Sequence, residues 1–564
     1  LLEKMRLGTT ILLSLLFAQA IFAATVTTNK FGSLEVTKES EDILEKEVFF
    51  SEDAQYYDYV HRSEHLLNTI DQAKKNKLNL RRDITTCETE SAFGPTDEFQ
   101  FTPIFVGKLL NDESEVSYEG QCFKQIKFTM EHVGEDSVKV HIDARKKRST
   151  FCKEALFLST TVRHHVEYLF LERKHTITFK NLDADDFIDL DLGGIRMYLF
   201  CHSITESFMS VFNTLKLFIG GLGLNPKYPV IGSHVPEYMQ QANRHFIKEV
   251  FGWEMEERET REVVLDESYI HDGDFLAITR LDGLDEIIMW GTGSHVGHST
   301  MALWIDDELH IVESQDGWYW PKSNIQRNTY KQWIEWAKNC DFNVILLPLK
   351  DEYREKFDNA AAVEFFETIE GMPYGYHNFL FGWIDTPDDN YPPALPAEFI
   401  GIAFELFSEL LPSVINSFFV EAMNQRLGTE GYNFKQVVYE AAKRNKTLVQ
   451  LMAEPEIDGW MYSDGYSYVC SSFLIAMYKA ANLFPGMEIQ GTEFGPKDVY
   501  QLNIYNSTAV LPEQCKAADP DLPYCQILGR YRLELEGYST IEPYSHMNEN
   551  CPSVYPEYVR PDGC

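Results

Sequence analysis

The stretch Gly293-Ser294-His295-Val296-Gly297-His298-Ser299-Thr300-Met301-Ala302-Leu303-Trp304-Ile305-Asp306-Asp307-Glu308-Leu309-His310-Ile311-Val312-Glu313-Ser314 decides how this chain is read. Two strand-like runs flank Asp306-Asp307, a pair suited to a tight turn, so the segment predicts a β-hairpin. If Ile305 faces Glu308, then Thr300 faces Glu313, and His298 lies one diagonal step away on the same face. The spacing lets a carboxylate reach an imidazole. A three-residue turn would shift the register and separate them.

Three further segments stand around this hairpin. Before it, Gly273-Asp274 forms a turn into a strand at Phe275. After it come Gly371-Met372-Pro373-Tyr374 and Tyr468-Val469-Cys470-Ser471-Ser472. The last predicts a helix that begins at Cys470 and is stopped at Pro485-Gly486. At a helix N-terminus the macrodipole and the free backbone N–H groups favour a thiolate, and a nearby imidazole adds to that effect. Cys470, His298 and Glu313 therefore fit a thiol nucleophile, its base and the group that orients the base.

Order, spacing and flanks together resemble the circularly permuted papain-like cysteine amidases. This is the permuted branch of the NlpC-type superfamily, with YiiX-like bacterial proteins and lecithin retinol acyltransferase among its relatives. The matching positions are Gly273-Asp274, His298, Glu313, Gly371 to Tyr374 and Cys470-Ser471. They span roughly residues 265–505, and the nucleophile comes last. The resemblance implies an α+β fold in which an antiparallel sheet carries His298 and Glu313 and a helix presents Cys470. It implies a Cys-His-Glu triad, a thioester intermediate and no cofactor, with Tyr374 lining the cleft. Ser472 and Gly375 depart from the family, which often has acidic residues there, and the span between Tyr374 and Cys470 is long.

Each residue also has a plainer reading. Cys470 could be a buried structural thiol or a disulfide partner of Cys340. His295, preceded by Ser294, competes with His298 for the role of base; the fifteen-residue distance to Glu313 favours His298. His295 and His298 could form half a metal site, but no His-Glu-x-x-His or Cys-x-x-Cys completes it, so no metal is expected.

The sequence divides the rest of the 564 residues as follows. Residues 1–23 read as a signal peptide behind a non-native leader at 1–4. Residues 24–205 read as a β-rich accessory region, with Glu172 to His175 as a hairpin turn, Asp183 to Asp191 as an acidic turn into a strand, and Arg145 to Arg148 as a hairpin tip. Residues 206–264 read as a helical linker. The catalytic part is 265–510, with a helical insertion at 384–435, and 511–564 reads as a Pro- and Cys-rich disulfide tail. The most apolar run, 397–427, fits two amphipathic helices meeting at Pro412 better than a membrane span.

Ten cysteines entering a secretory compartment should mostly pair. Local pairing predicts Cys87–Cys122, Cys152–Cys201, Cys515–Cys525 and Cys551–Cys564, and leaves Cys340 and Cys470. Asn445 and Asn506 head glycosylation sequons. The expected location is extracellular or a lysosome-like lumen. A net charge of −37 disfavours nucleic acid as a partner. Three functions remain: hydrolysis of an amide or peptide, acyl transfer or hydrolysis on a lipid, and an inactive binding protein. Oligomeric state is not legible.

Overall fold

The computed structural model describes residues 104–200, 234–315, 324–381 and 401–545, apart from positions 111, 113, 149–151, 153, 171, 403, 406–407, 409–411 and 509. The expected signal peptide, Cys87, Cys201, Cys551, Cys564 and the start of the insertion lie outside the described residues.

The described residues are mixed α+β and form three antiparallel sheets. Two four-stranded sheets form the N-terminal part. One runs β1(Ile104–Leu109), β8(Ile195–Phe200), β5(Glu154–Ser159), β6(His164–Leu169). The other runs β2(Glu115–Tyr118), β3(Phe123–Val133), β4(Ser137–Lys147), β7(Lys174–Phe179). In β3 and β4, Phe128 faces Ile142 and Met130 faces Val140, all buried against Leu156, Leu158, Met197 and Leu199 of the other sheet. Intervening residues such as Lys139 and Glu131 pair on the outer face. This period-two alternation is what makes the sequence fold as packed sheets here.

Several expectations are corrected. Glu172 to His175 does not close a hairpin, because β6 and β7 belong to different sheets. Asp183 caps the helix α1(Ala184–Gly193), where Asp183 and Asp186 form a reciprocal capping box. Arg145 to Lys147 is the end of β4, with Arg148 just beyond it, and not a hairpin tip; Phe123 faces Lys147 across the strand pair. Cys122 bonds Cys152, which excludes both Cys87–Cys122 and Cys152–Cys201. The fold brings the start of β3 beside the entry to β5, and local spacing does not encode that contact. The expected Cys515–Cys525 bond is present.

The third sheet has six strands in the order β12(Asn324–Thr329), β11(Glu308–Gln315), β10(His298–Ile305), β9(Phe275–Thr279), β13(Asn343–Leu347), β14(Cys525–Leu528). β14 comes from the segment read as a loop-rich tail. Val263 N–H donates to the Ile527 carbonyl at 2.9 Å, and the helix α2(Glu237–Phe251) buries Ile247 in the same core. Segments read as linker and tail thus pack into one body with the sheet. Phe275, Ala277, Met301 and Val312 cover one face, and Leu276, Ile278, Ala302 and Ile311 the other.

The insertion is helical from Pro412 to Leu427, with a π-helical stretch at Asn416–Val420. Ile415, Phe419 and Val420 pack against α3(Phe434–Lys443) and α4(Leu448–Met452). This helical cluster docks on the N-terminal sheets: Tyr439 donates to Asp186 at 2.9 Å, and Lys443 meets Asp185.

Glu154 yields a prediction. Burial pushes its carboxyl up to about 7, although Cys122 and Gln121 N–H groups donate to it and oppose the shift. A raised carboxyl contributes stability that is full below its ordinary value near 4.5 and is lost as pH rises through 7. Thermal melts of the full chain should show the N-terminal part losing roughly 3 kcal/mol between pH 4.5 and pH 7.5. Glu154→Gln should flatten that dependence.

Candidate active site

The hairpin forms in the expected register. Ile305 faces Glu308 and Met301 faces Val312. Asp306 and Asp307 both sit at positive φ, 51° and 61°, the conformation of a two-residue type I′ turn whose twist matches the strands. This register brings His298 Nε2 to 3.0 Å from Glu313 Oε2. Both residues are buried.

A helix, α5(Cys470–Ala480), begins at Cys470 after extended Val469. It ends at Ala480, before the Pro485-Gly486 stop read from sequence. Phe473, Leu474 and Met477 bury it in the core under the sheet. Its entry is held from two sides. Ser314 Oγ donates to the Tyr468 carbonyl at 2.7 Å, and Gly375 N–H donates to the same oxygen at 2.9 Å. A Cβ at Gly375 would stand 2.3 Å from Tyr468 N, so only glycine permits this approach. Gly375 thus stands here for a steric reason.

Cys470 and His298 share a hydrogen bond. With Nε2 committed to Glu313, Nδ1 is the nitrogen left for the thiol. Cys470 is buried and lies in no disulfide, and neither does Cys340, so the Cys340–Cys470 pair is not formed. Burial alone would lower the His298 pKa. Its hydrogen bonds and charge interactions with Cys470 and Glu313 outweigh burial and raise it to about 10.

The other sequence-predicted residues lie around this relay or apart from it. His295 stacks on Trp253 with ring centroids 4.2 Å apart, and its Nδ1 meets the Glu534 carbonyl. Burial lowers its pKa. Ser294 Oγ accepts from Val296 N–H in a local turn. Tyr374 is buried and bridges Tyr468 as a parallel neighbour, two residues before Cys470. Ser471 is buried in the first turn of α5. Gly273-Asp274 lies at the far end of β9 from Ile278, the residue that faces His298. There the Asp274 carboxylate accepts from Leu349 N–H at 3.1 Å and Arg354 at 3.2 Å, a structural corner. Asn445 is exposed after α3, and Asn506 accepts from Thr508 N–H in an Asx turn.

Sequence reasoning missed Ser314 and Gly375. Ser314 follows from the hairpin alternation once the helix entry is known; Gly375 had no signal. Among the described residues, no three His, Cys, Asp or Glu side chains are placed to hold a metal ion.

No protein-family model matches the chain, and no curated protein matches it. A solved structure is similar in part. The metalloprotein YiiX of Escherichia coli O157:H7 aligns with 25% of this chain and 67% of its own, at 15% identity and a TM-score of 0.15. What the site can do therefore rests on its own geometry.

The His298 shift is open to direct measurement by NMR titration. In the native protein the ring should titrate near pH 10. Cys470→Ala should lower that value, and Cys470→Ala with Glu313→Gln should take it below the ordinary 6.5, because burial remains. The stability this pairing contributes is full below pH 6.5 and is lost as pH rises through 10. A wild-type midpoint near 6.5 would contradict the pairing.

Proposed function

We propose that this protein is a cysteine hydrolase that cleaves an amide or peptide bond through a Cys470 thioester. One observation carries the reading: a thiol at a helix start, hydrogen-bonded to an imidazole whose far nitrogen is held by a buried carboxylate.

The chemistry follows from that relay. His298, protonated through the neutral range, already holds the proton of the pair, and the sulfur attacks the substrate carbonyl carbon. The first N–H groups of a helix have no intrahelical acceptor, so the Cys470 N–H is placed to stabilise the oxyanion. His298 then gives its proton to the departing nitrogen, leaving a thioester. Water attacks the thioester as His298 takes a proton from it, and the sulfur departs beside the protonated ring, restoring the resting pair. Glu313 orients the ring and stabilises its cationic form.

The lipid reading drew on the apolar insertion. Ile402, Ile415, Phe419 and Val420 are buried within the protein, so packing accounts for them without a lipid-facing lid. One form of the binding-protein reading placed Cys470 in a disulfide, and it is in none; a buried structural thiol is the other, and the labelling experiment below decides it. The two disulfides among the described residues suit an oxidising compartment, which supports a secretory location. No helix among the described residues is long and apolar enough to cross a membrane.

Iodoacetamide labelling without reductant tests the reading. Cys470 should be alkylated rapidly at pH 6–7, ahead of Cys340. His298→Ala should slow it by roughly a hundredfold, and Glu313→Gln by less. Labelling that needs alkaline pH and ignores His298 would refute the activated thiol.

A further inference from the structure

Beside the imidazole, β11 and β12 carry a block of four polar side chains. Glu313 faces Gln326, and Gln315 faces Asn324. Opposed residues on adjacent strands, and residues two apart on one strand, project from the same sheet face. All four therefore share the face on which Glu313 meets His298. The Gln315–Asn324 pair lies one step further along, ~7 Å from the Glu313–Gln326 pair.

In each of the four, one hydrogen-bonding atom is buried and lacks a partner. These are Glu313 Oε1, Gln315 Oε1, Asn324 Oδ1 and Gln326 Nε2. Glu313 and Gln315 are each 1% exposed. Buried polar atoms almost always find partners, because an unmade hydrogen bond in the interior is costly. The four atoms stand in a two-by-two block adjoining the thiol–imidazole pair.

We propose that this block is the specificity subsite of the enzyme, with Gln315 and Gln326 as its determining residues. It takes a substrate group rich in N–H or O–H donors, such as a peptide backbone, and rejects a hydrocarbon chain. The inference rests on the thiol reading above. Three of the four atoms are oxygens, so donors on the ligand are what the block lacks. An alkyl chain seated there would leave all four unpaired. Sites built to hydrogen-bond a substrate reject analogues without those groups by up to roughly 10⁴-fold.

Two thiol-directed probes of matched length test this: an acetyl-glycylglycine fluoromethyl ketone and an alkyl fluoromethyl ketone. Each forms a carbon–sulfur bond as fluoride leaves. Wild type should react with the peptidyl probe at least roughly a hundredfold faster than with the alkyl probe. In Gln315→Leu and Gln326→Leu that preference, measured against each variant's own iodoacetamide rate, should fall at least tenfold. If circular dichroism shows a leucine variant unfolded, the methionine variants take its place; the wild-type comparison needs no variant.

Equal or faster reaction with the alkyl probe would overturn the proposal. So would variants that keep the preference, since the block would then hold only water. If iodoacetamide does not single out Cys470 in wild type, the thiol reading fails and the subsite falls with it. If iodoacetamide labels Cys470 and the probes do not discriminate, only the subsite fails.

Discussion

Glu313 and Ser314 make two neighbouring hydrogen bonds on which the rest of the site depends. Strand alternation sends the Glu313 carboxylate to the His298 ring and the Ser314 hydroxyl to the carbonyl of Tyr468. One strand thereby holds the His298 ring and anchors the entry to α5. The distance between them is set by the hairpin turn, where two aspartates accept the left-handed backbone that a two-residue loop requires. An added turn residue would exchange the faces of Glu313 and Ser314 and lose both contacts at once.

The wall beside the helix entry continues this scaffold. Gly371 to Tyr376 runs from the edge of β12, where Ile325 N–H donates to Met372, to the backbone of Tyr468. Next along, His377 Nε2 donates to the Asp464 carboxylate at 2.9 Å, and the ring stacks on Tyr462. Tyr462 belongs to the helical cluster that docks on the N-terminal sheets. Noncovalent contacts thus join the N-terminal part, through the helical cluster, to the residues beside the entry of α5.

What could be read from the sequence was local or had a definite period. The hairpin register followed from a two-residue turn and alternation, and the start of α5 at Cys470 followed from the apolar run behind it. The choice between His295 and His298 came from the same count: the fold stacks His295 on Trp253 and gives His298 the carboxylate. Contacts made by distant segments were not legible. β14 completes a sheet begun some 250 residues earlier, and Cys122 finds Cys152 only once two sheets pack. The acidic run at Asp183 looked like a turn because its carboxylates serve a helix start, a role that depends on which groups receive them. The unpartnered block at Gln315 and Gln326 was invisible for the same reason: unmet hydrogen bonds are defined by surroundings.

The central claim is that Cys470 carries the acyl group. The most direct measurement is peptide mass spectrometry after acid quenching of the protein mixed with p-nitrophenyl acetate. The account predicts an acetyl group on Cys470, formed in a burst of p-nitrophenol equal to the enzyme present and absent in Cys470→Ala. Acetyl found elsewhere, or the same release from Cys470→Ala, would contradict it.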